Sequence, residues 1–404
     1  MSLSNLSQPI LQLKKKEERR IKNGHLWIYS NEIDTAITPL KNMTPGQAVD
    51  IRDSGNTFVG RGYVNPNTLL CARILTYNAA QIIDASFFES KITQALSVRE
   101  RYFPSPYYRL IYGEGDGLPG LIVDRYGDTL SAQLTTAGME LHKEIIAAAL
   151  MKILQPKTLI WRNDHSMRAT EGLDSYVETA HGTADDKTLI IENGVSFLVP
   201  VREGQKTGWF FDHGDNRRRM IPFIKNQRVL DVFSYLGAWS IQALVNGARE
   251  AWAIDSSASA LEISQENAKL NQVDSQFHCL KGDAFQQLKM LHQNGERFDV
   301  ICLDPPAFIK RRKDHKEGFL AYQRINELAM KLLTKTGLLI TSSCSLHLSR
   351  AELVHAINVA NSADQSFKGT SQILIQGHQN IDHPIHPMIP ETNYLKTFFV
   401  NRYE

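Results

Sequence analysis

The chain has 404 residues, 42% hydrophobic and 22% charged, the composition of a soluble globular protein long enough for two or three domains. Lys and Arg total 45 against 43 Asp and Glu, a formal charge of +2, which excludes a uniformly basic binder but not one whose basic residues are segregated. The four cysteines, Cys71, Cys279, Cys302 and Cys344, include no C-x-x-C pair, so neither a disulfide framework nor a zinc knuckle is expected. No signal-peptide apolar core opens the sequence, and the longest apolar runs, such as 145–151, fall far short of the ~20 residues of a membrane helix. The expectation is a soluble cytoplasmic protein with reduced thiols and no membrane partner.

In chain order, residues 1–76 read as a small β-rich module. Extended runs at 26–29, 48–51, 57–63 and 69–75 alternate with the turn signals Asn23-Gly24, Pro45-Gly46 and Ser54-Gly55-Asn56. The module begins with a basic cluster (Lys14, Lys15, Lys16, Arg19, Arg20, Lys22) followed by the aromatic run His25-Leu26-Trp27-Ile28-Tyr29. Residues 77–187 read as a central α+β unit: a helix over 80–102, a glycine-rich turn at 114–120, strands at 121–124 and 129–135, a helix over 139–153 and a strand at 158–162. The polar stretch 183–187 is the linker. Further basic clusters are Arg217-Arg218-Arg219 and Lys310-Arg311-Arg312-Lys313; each is either a solvated face or a track for phosphates.

From 188 to 404 the pattern is α/β. Strands at 228–233, 250–254, 276–280, 298–303 and 337–342 alternate with helices, one carrying Ile325, Leu328, Ala329 and Leu332 as an apolar stripe. Such alternation predicts a parallel sheet covered on both faces, with ligands beyond the carboxyl ends of its strands. The first strand runs into Asp231-Val232-Phe233-Ser234-Tyr235-Leu236-Gly237-Ala238, which lacks the glycines a dinucleotide pyrophosphate needs and disfavours a dehydrogenase. Asp255 after the second strand is placed to accept ribose hydroxyls, or to serve as a helix N-terminal acid. Asp283-Ala284 after the third is placed for an adenine edge, or as a helix cap. The loop and the two acids together suggest S-adenosylmethionine.

After the fourth strand, Asp304-Pro305-Pro306-Ala307-Phe308 holds Asp304 and Phe308 on a stiff turn, a pattern found in methyltransferases acting on planar nitrogen heterocycles. After the fifth, Cys344 sits between Ser343 and Ser345 at a strand-to-loop junction and is the candidate nucleophile. The other three cysteines lie in apolar strand patterns as small core residues. His383-Pro384-Ile385-His386 has no third ligand at metal-site spacing and reads as loop.

Taken together, these residues resemble the bacterial ribosomal RNA large subunit methyltransferase I family, which makes 5-methylcytosine in 23S rRNA. The resemblance spans nearly the whole chain. The stretch from Arg19-Arg20 through Gly24-His25-Leu26-Trp27-Ile28-Tyr29-Ser30-Asn31-Glu32-Ile33 is similar to the start of its RNA-binding PUA domain. Glu114-Gly115-Asp116-Gly117-Leu118-Pro119-Gly120 with Leu121-Ile122-Val123-Asp124-Arg125-Tyr126 is similar to its central domain. Lys206-Thr207-Gly208-Trp209-Phe210-Phe211-Asp212, with Asp215-Asn216-Arg217, resembles the opening of its methyltransferase domain, and the D-P-P-A-F and S-C-S segments its catalytic motifs. The sequence differs where relatives often have a second glycine beside Gly237, and where they have a glutamine-arginine pair in place of His213-Gly214.

The resemblance implies a class I methyltransferase domain of Rossmann-like fold after a PUA domain and an α+β domain. It implies Cys344 and Asp304 as catalytic residues. S-adenosylmethionine would be held by Phe211, Asp212, Asp231, Ser234, Gly237, Asp255, Asp283, Ala284 and Asp304. Large-subunit rRNA would be met by Lys15, Arg19, Arg20, Lys206, Arg217, Phe308, Lys310 and Arg311, Arg217 alternatively ordering its loop. A homodimer is left open. The competing functions are a base methyltransferase without a covalent adduct and a non-catalytic ribosome-assembly protein.

Overall fold

The computed structural model describes residues 8–204, 207–364 and 367–403. The chain divides into two compact units. The first comprises residues 1–188, 200–209 and 382–392; the second comprises 189–199, 210–381 and 393–404. The contiguous division at 187/188 read from the sequence therefore needs correction, because two later segments fold with the first unit. Polar contacts between residues far apart in sequence hold them there. Arg162 donates to the carbonyls of Val201 and Gly204 at 2.6 and 2.7 Å, and Arg99 to that of Asp382 at 2.9 Å.

Two five-stranded sheets build the first unit. One orders its strands Ile10–Gln12, Gln47–Arg52, Phe58–Val64, Ala72–Thr76 and Trp27–Ile28, around a core that includes Leu11, Ile28, Val49, Ile51 and Ile74. The other orders Tyr176–His181, Thr158–Asn163, Thr129–Leu134, Leu121–Tyr126 and Tyr107–Tyr112, and helix Ala85–Tyr102 shares its core. The expected helix over 139–153 is two helices, Ala137–Leu141 and Lys143–Leu154, meeting at His142. Tyr63 joins the two sheets: its hydroxyl donates to the Pro119 carbonyl at 2.7 Å, and its ring leaves no room for a Cβ at Gly138.

The second unit contains a seven-stranded sheet: β1 (Arg228–Val232), β2 (Glu250–Asp255), β3 (Phe277–Lys281), β4 (Phe298–Leu303), β5 (Leu333–Ser343), β6 (Thr370–Gly377) and β7 (Lys396–Tyr403). Their spatial order is β3-β2-β1-β4-β5-β7-β6. The first five are parallel, and β7 runs antiparallel between β5 and β6. Helices α1 (Ala238–Val245), α2 (Ala258–Leu270), α3 (Ala284–Gln293), α4 (His315–Leu332) and α5 (Arg350–Ala363) connect or flank the strands. The stripe read on α4 is buried at Ile325, Ala329 and Leu332, against Leu230, Ile301 and Leu339 of the sheet. Order reverses between β1 and β4, so their two following loops diverge there and open the crevice in which such sheets bind ligands. No helix among the described residues is long and apolar enough to cross a membrane.

Candidate active site

Asp231 faces this crevice from β1, opposite Ala253 of β2 and Cys302 of β4. Its side chain is buried. Oδ2 accepts from the backbone N and Oγ of Ser240 at 3.1 and 3.0 Å, while Oδ1 has no hydrogen-bond partner among the described residues. Desolvation raises its pKa to about 7, against the Ser240 hydrogen bonds and with the charges of Asp304 and Asp255 adding to the rise.

The following loop is tightly wound. Phe233 and Ser234 both donate backbone N–H to the Ile254 carbonyl, at 2.9 and 3.0 Å. Phe233 (φ +66°) and Tyr235 (φ +48°) occupy the left-handed region that bulky residues avoid, strain of the kind that clusters at ligand sites. Gly237 has φ +77°, and a Cβ there would approach Ile241 Cδ1 to 2.9 Å, so the position requires glycine. Ser234 is buried and its Oγ has no hydrogen-bond partner among the described residues.

Asp255 serves both loops at the end of β2. Its carboxylate accepts from Tyr235 N at 2.9 Å and from Ser257 N at 2.8 Å, leaving further lone pairs at a partly exposed position. Asp283 is exposed and caps α3, accepting from Gln286 N at 3.0 Å. The capping alternative is thus observed, and capping leaves its other carboxylate oxygen for a ligand. Ala284 is buried in the sheet's core.

Asp304 follows β4, its side chain one-quarter exposed, with Oδ1 3.1 Å from Nε2 of His213. His213 lies on the turn Phe211–His213, where all three residues are buried. Burial pulls its pKa down, but the Asp304 charge and hydrogen bond, with the Asp212 charge, raise it above the ordinary imidazole value overall. Asp212 accepts from the Tyr394 hydroxyl at 2.5 Å. The segment read from the sequence as a departure thus supplies the partner of the D-P-P aspartate, a role that no motif signalled.

Cys344 immediately follows β5, partly exposed, with Sγ 4.0 Å from the Pro305 carbonyl oxygen. Strands β4 and β5 are neighbours, which brings the D-P-P and S-C-S loops together. Tyr322 of α4 binds them: its hydroxyl lies 2.8 Å from both Ser343 Oγ and Ser345 Oγ, and Ser345 Oγ accepts from Ile309 N at 3.1 Å. Lys396 of β7 donates to the Ser345 carbonyl at 2.7 Å. Sequence reasoning missed Tyr322 and Lys396 because neither belongs to a motif. Burial raises the pKa of the other three thiols, that of Cys71 to about 12, which keeps them protonated.

The RNA-binding expectations separate. Lys15, Arg19, Lys310 and Arg311 are exposed, Arg311 pairing with Asp314 at 2.9 Å. Two of the arginines are engaged by glutamates. Arg217 is buried, bidentate to Glu192 at 2.6 and 2.9 Å and donating to the Phe210 carbonyl at 2.7 Å, so it orders its loop and is not offered to phosphate. Arg20 is bidentate to Glu32 at 2.6 and 2.8 Å, fixing the start of the first sheet's module. Phe308 is half-buried among Tyr322, Phe285 and Phe233, with centroids 4.9, 6.1 and 6.3 Å away. Lys206 lies outside the described residues.

A sheet of this order, with acids closing β1, β2 and β4 around a reversed-order crevice, defines a class I methyltransferase fold; the chain places a PUA-like domain before it. Residues 11–77 match the PUA-like domain family, and residues 200–369 match the family described as conserved hypothetical protein 95. Ribosomal RNA large subunit methyltransferase I of Salmonella schwarzengrund is 34% identical over 404 residues, covering 98% of this chain and 99% of that protein. Its counterpart in Salmonella arizonae is 34% identical over 396 residues, with 96% of each covered. The chain belongs to the ribosomal RNA large subunit methyltransferase I family. Among solved structures, SMU.776, described as a methyltransferase complexed with SAH, superposes with TM-score 0.82 at 21% identity, covering 98% of this chain and 100% of that one. A protein from Streptococcus mutans described as a SAM-dependent methyltransferase gives 0.81 at 20%, with the same coverage.

Proposed function

We propose that the protein methylates carbon 5 of a cytosine in large-subunit ribosomal RNA, with S-adenosylmethionine as methyl donor and Cys344 as the nucleophile that activates the ring. The observation that carries this reading is the approach of Cys344 Sγ to within 4.0 Å of the Pro305 carbonyl, beside Asp304 on the partly exposed crevice edge.

The residues fit the donor. Asp231 Oδ1 and Ser234 Oγ are buried acceptors without partners among the described residues, suited to an ammonium, and Gly237 keeps the loop close. These would take the methionine end, Asp255 the ribose hydroxyls, and Asp283 and Ala284 the adenine, with Phe211 and Asp212 lining the same crevice. S-adenosylmethionine supplies the electrophilic methyl group that carbon 5 takes up.

Carbon 5 of cytosine is a weak nucleophile. Addition of the Cys344 thiolate at carbon 6 forms an S–C bond and moves the ring's double-bond electrons toward carbon 5. Asp304, held by His213, meets the exocyclic amine or N3 and favours the charge that develops. A water then takes the carbon 5 proton, the electrons of that C–H bond re-form the ring double bond, and the S–C pair returns to sulfur, freeing Cys344 as thiolate. The target base must leave its stack to reach the crevice, where Phe308 gives it an aromatic edge, and Lys15, Arg19, Lys310 and Arg311 are exposed cations for phosphates. Cys344→Ala is expected to abolish methyl transfer to rRNA, measured with labelled S-adenosylmethionine, while calorimetry shows the donor still bound. Full turnover by that variant would overturn the reading.

A further inference from the structure

The reaction as drawn needs Cys344 ionised, and a neighbouring cation favours the ionised form. Lys396 is placed to act as such a cation. It is the first residue of β7, opposite Ser343 of β5 in the antiparallel register, so it lies beside the strand end that delivers Cys344. It is 7% exposed, and its Nζ is anchored on the carbonyl of Ser345 at 2.7 Å, one residue past the sulfur.

Among the described residues Lys396 forms no ion pair with a carboxylate. An ammonium withdrawn from water without a counter-charge is strongly unfavourable. The charged groups acting on it are Cys344, from the loop after β5, and Arg350 and Glu352, from α5. Its pKa is pulled down to about 8, chiefly by burial; Cys344 and Glu352 act to raise it and Arg350 adds to the lowering. Arg350 is held by the carbonyls of Gly377 at 3.0 Å and Leu395 at 3.3 Å. Glu352 accepts from Ser349 N at 2.7 Å and lies 2.9 Å from His315 Nε2. From α4, Tyr322 directs its hydroxyl to Ser343 and Ser345. With both α5 side chains engaged elsewhere, the Cys344 sulfur is the neighbouring group able to become the anion that this cation lacks.

We propose that Lys396 is a positioning residue for the nucleophile: its ammonium, fixed on the Ser345 carbonyl, is the counter-charge that keeps Cys344 a thiolate. The inference rests on the reading of Cys344 as the nucleophile. The step is a proton transfer without redox change. The thiol S–H bond breaks, its electron pair stays on sulfur, and the proton goes to water or to the neutral amine of Lys396.

The test is alkylation of the full-length protein by iodoacetamide across pH, followed by mass spectrometry of the Cys344 peptide. It needs neither RNA nor methyl transfer. In the wild type the midpoint is expected below the ordinary thiol value of about 8.5. Lys396→Met is expected to raise it by about one pH unit or more, a roughly tenfold loss of reactivity at pH 7, and Lys396→Arg to keep it near the wild-type value. A wild-type midpoint at or above that ordinary value would overturn the proposal even if the Met variant did not fold. So would an unchanged midpoint in a folded Lys396→Met, or equal shifts in the Met and Arg variants, which would report lost packing and not lost charge. Activity of Cys344→Ala separately decides the nucleophile reading, so the two failures are distinguishable.

Discussion

At the scale of single residues, the candidate active-site crevice gathers ionisable groups whose environments shift their ordinary charge states. Asp231 is the clearest case. Its native pKa of about 7 stands above the ordinary 3.8, because burial penalises the carboxylate. The native state therefore holds a proton between about pH 4 and 7 that the unfolded chain has released, so this group's contribution to stability falls as pH rises through that window. Asp231→Asn keeps an acceptor for Ser240 and removes the titration. Its melting temperature, compared with wild type from pH 4 to 7, is expected to fall less steeply as pH rises; parallel curves would contradict the account. Asp231, Asp304 and Cys344 were legible in the sequence because each closes a recognisable strand. His213 was not, since its meaning depends on a turn that folding brings to Asp304 from far along the chain.

At the scale of elements, α4 does more than cover the sheet. Its apolar stripe was legible from periodicity, but Tyr322 on the same helix turns a packing element into a clamp on two loops. Removing that hydroxyl in Tyr322→Phe takes one hydrogen bond from each of Ser343 and Ser345 in a buried setting, leaving Ser345 Oγ with Ile309 N and Ser343 Oγ with Ser345 N. A loss of about 1–2 kcal/mol is expected in chemical denaturation. A several-fold fall in kcat should accompany it, with donor affinity unchanged, because the clamp holds the nucleophile's loop and not the donor's. Unchanged stability and kcat together would show that the clamp is idle. Strands β1, β2, β4 and β5 were readable because burial makes parallel strands near-continuously apolar, and the edge strand β3 from its place in the strand–helix alternation. The antiparallel β6 and β7 fall outside the strand–helix alternation, and β6 exposes much of its length as a sheet edge. With them the sequence reading lost the lysine beside Cys344.

At the scale of the molecule, the order of modules was visible in composition, whereas the return of residues 200–209 and 382–392 to the first unit was not. Those segments are held by side chains such as Arg99 and Arg162, whose carbonyl partners carry no residue-type signature. Basic clusters were similarly visible but not their fates: Arg217 is buried on Glu192, Arg20 pairs with Glu32 while staying partly exposed, and Lys310 and Arg311 are exposed. Under the proposed function the chain serves a single reaction, a methyl group placed on a cytosine made reactive by Cys344. The most direct test is to incubate the protein and S-adenosylmethionine with large-subunit rRNA containing 5-fluorocytosine, whose carbon 5 has no proton to lose. The account predicts a covalent protein–RNA complex, joined through the peptide carrying Cys344 and absent from Cys344→Ala. Methylation of ordinary rRNA without any trapped complex on the fluorinated RNA, or trapping that persists in Cys344→Ala, would contradict it.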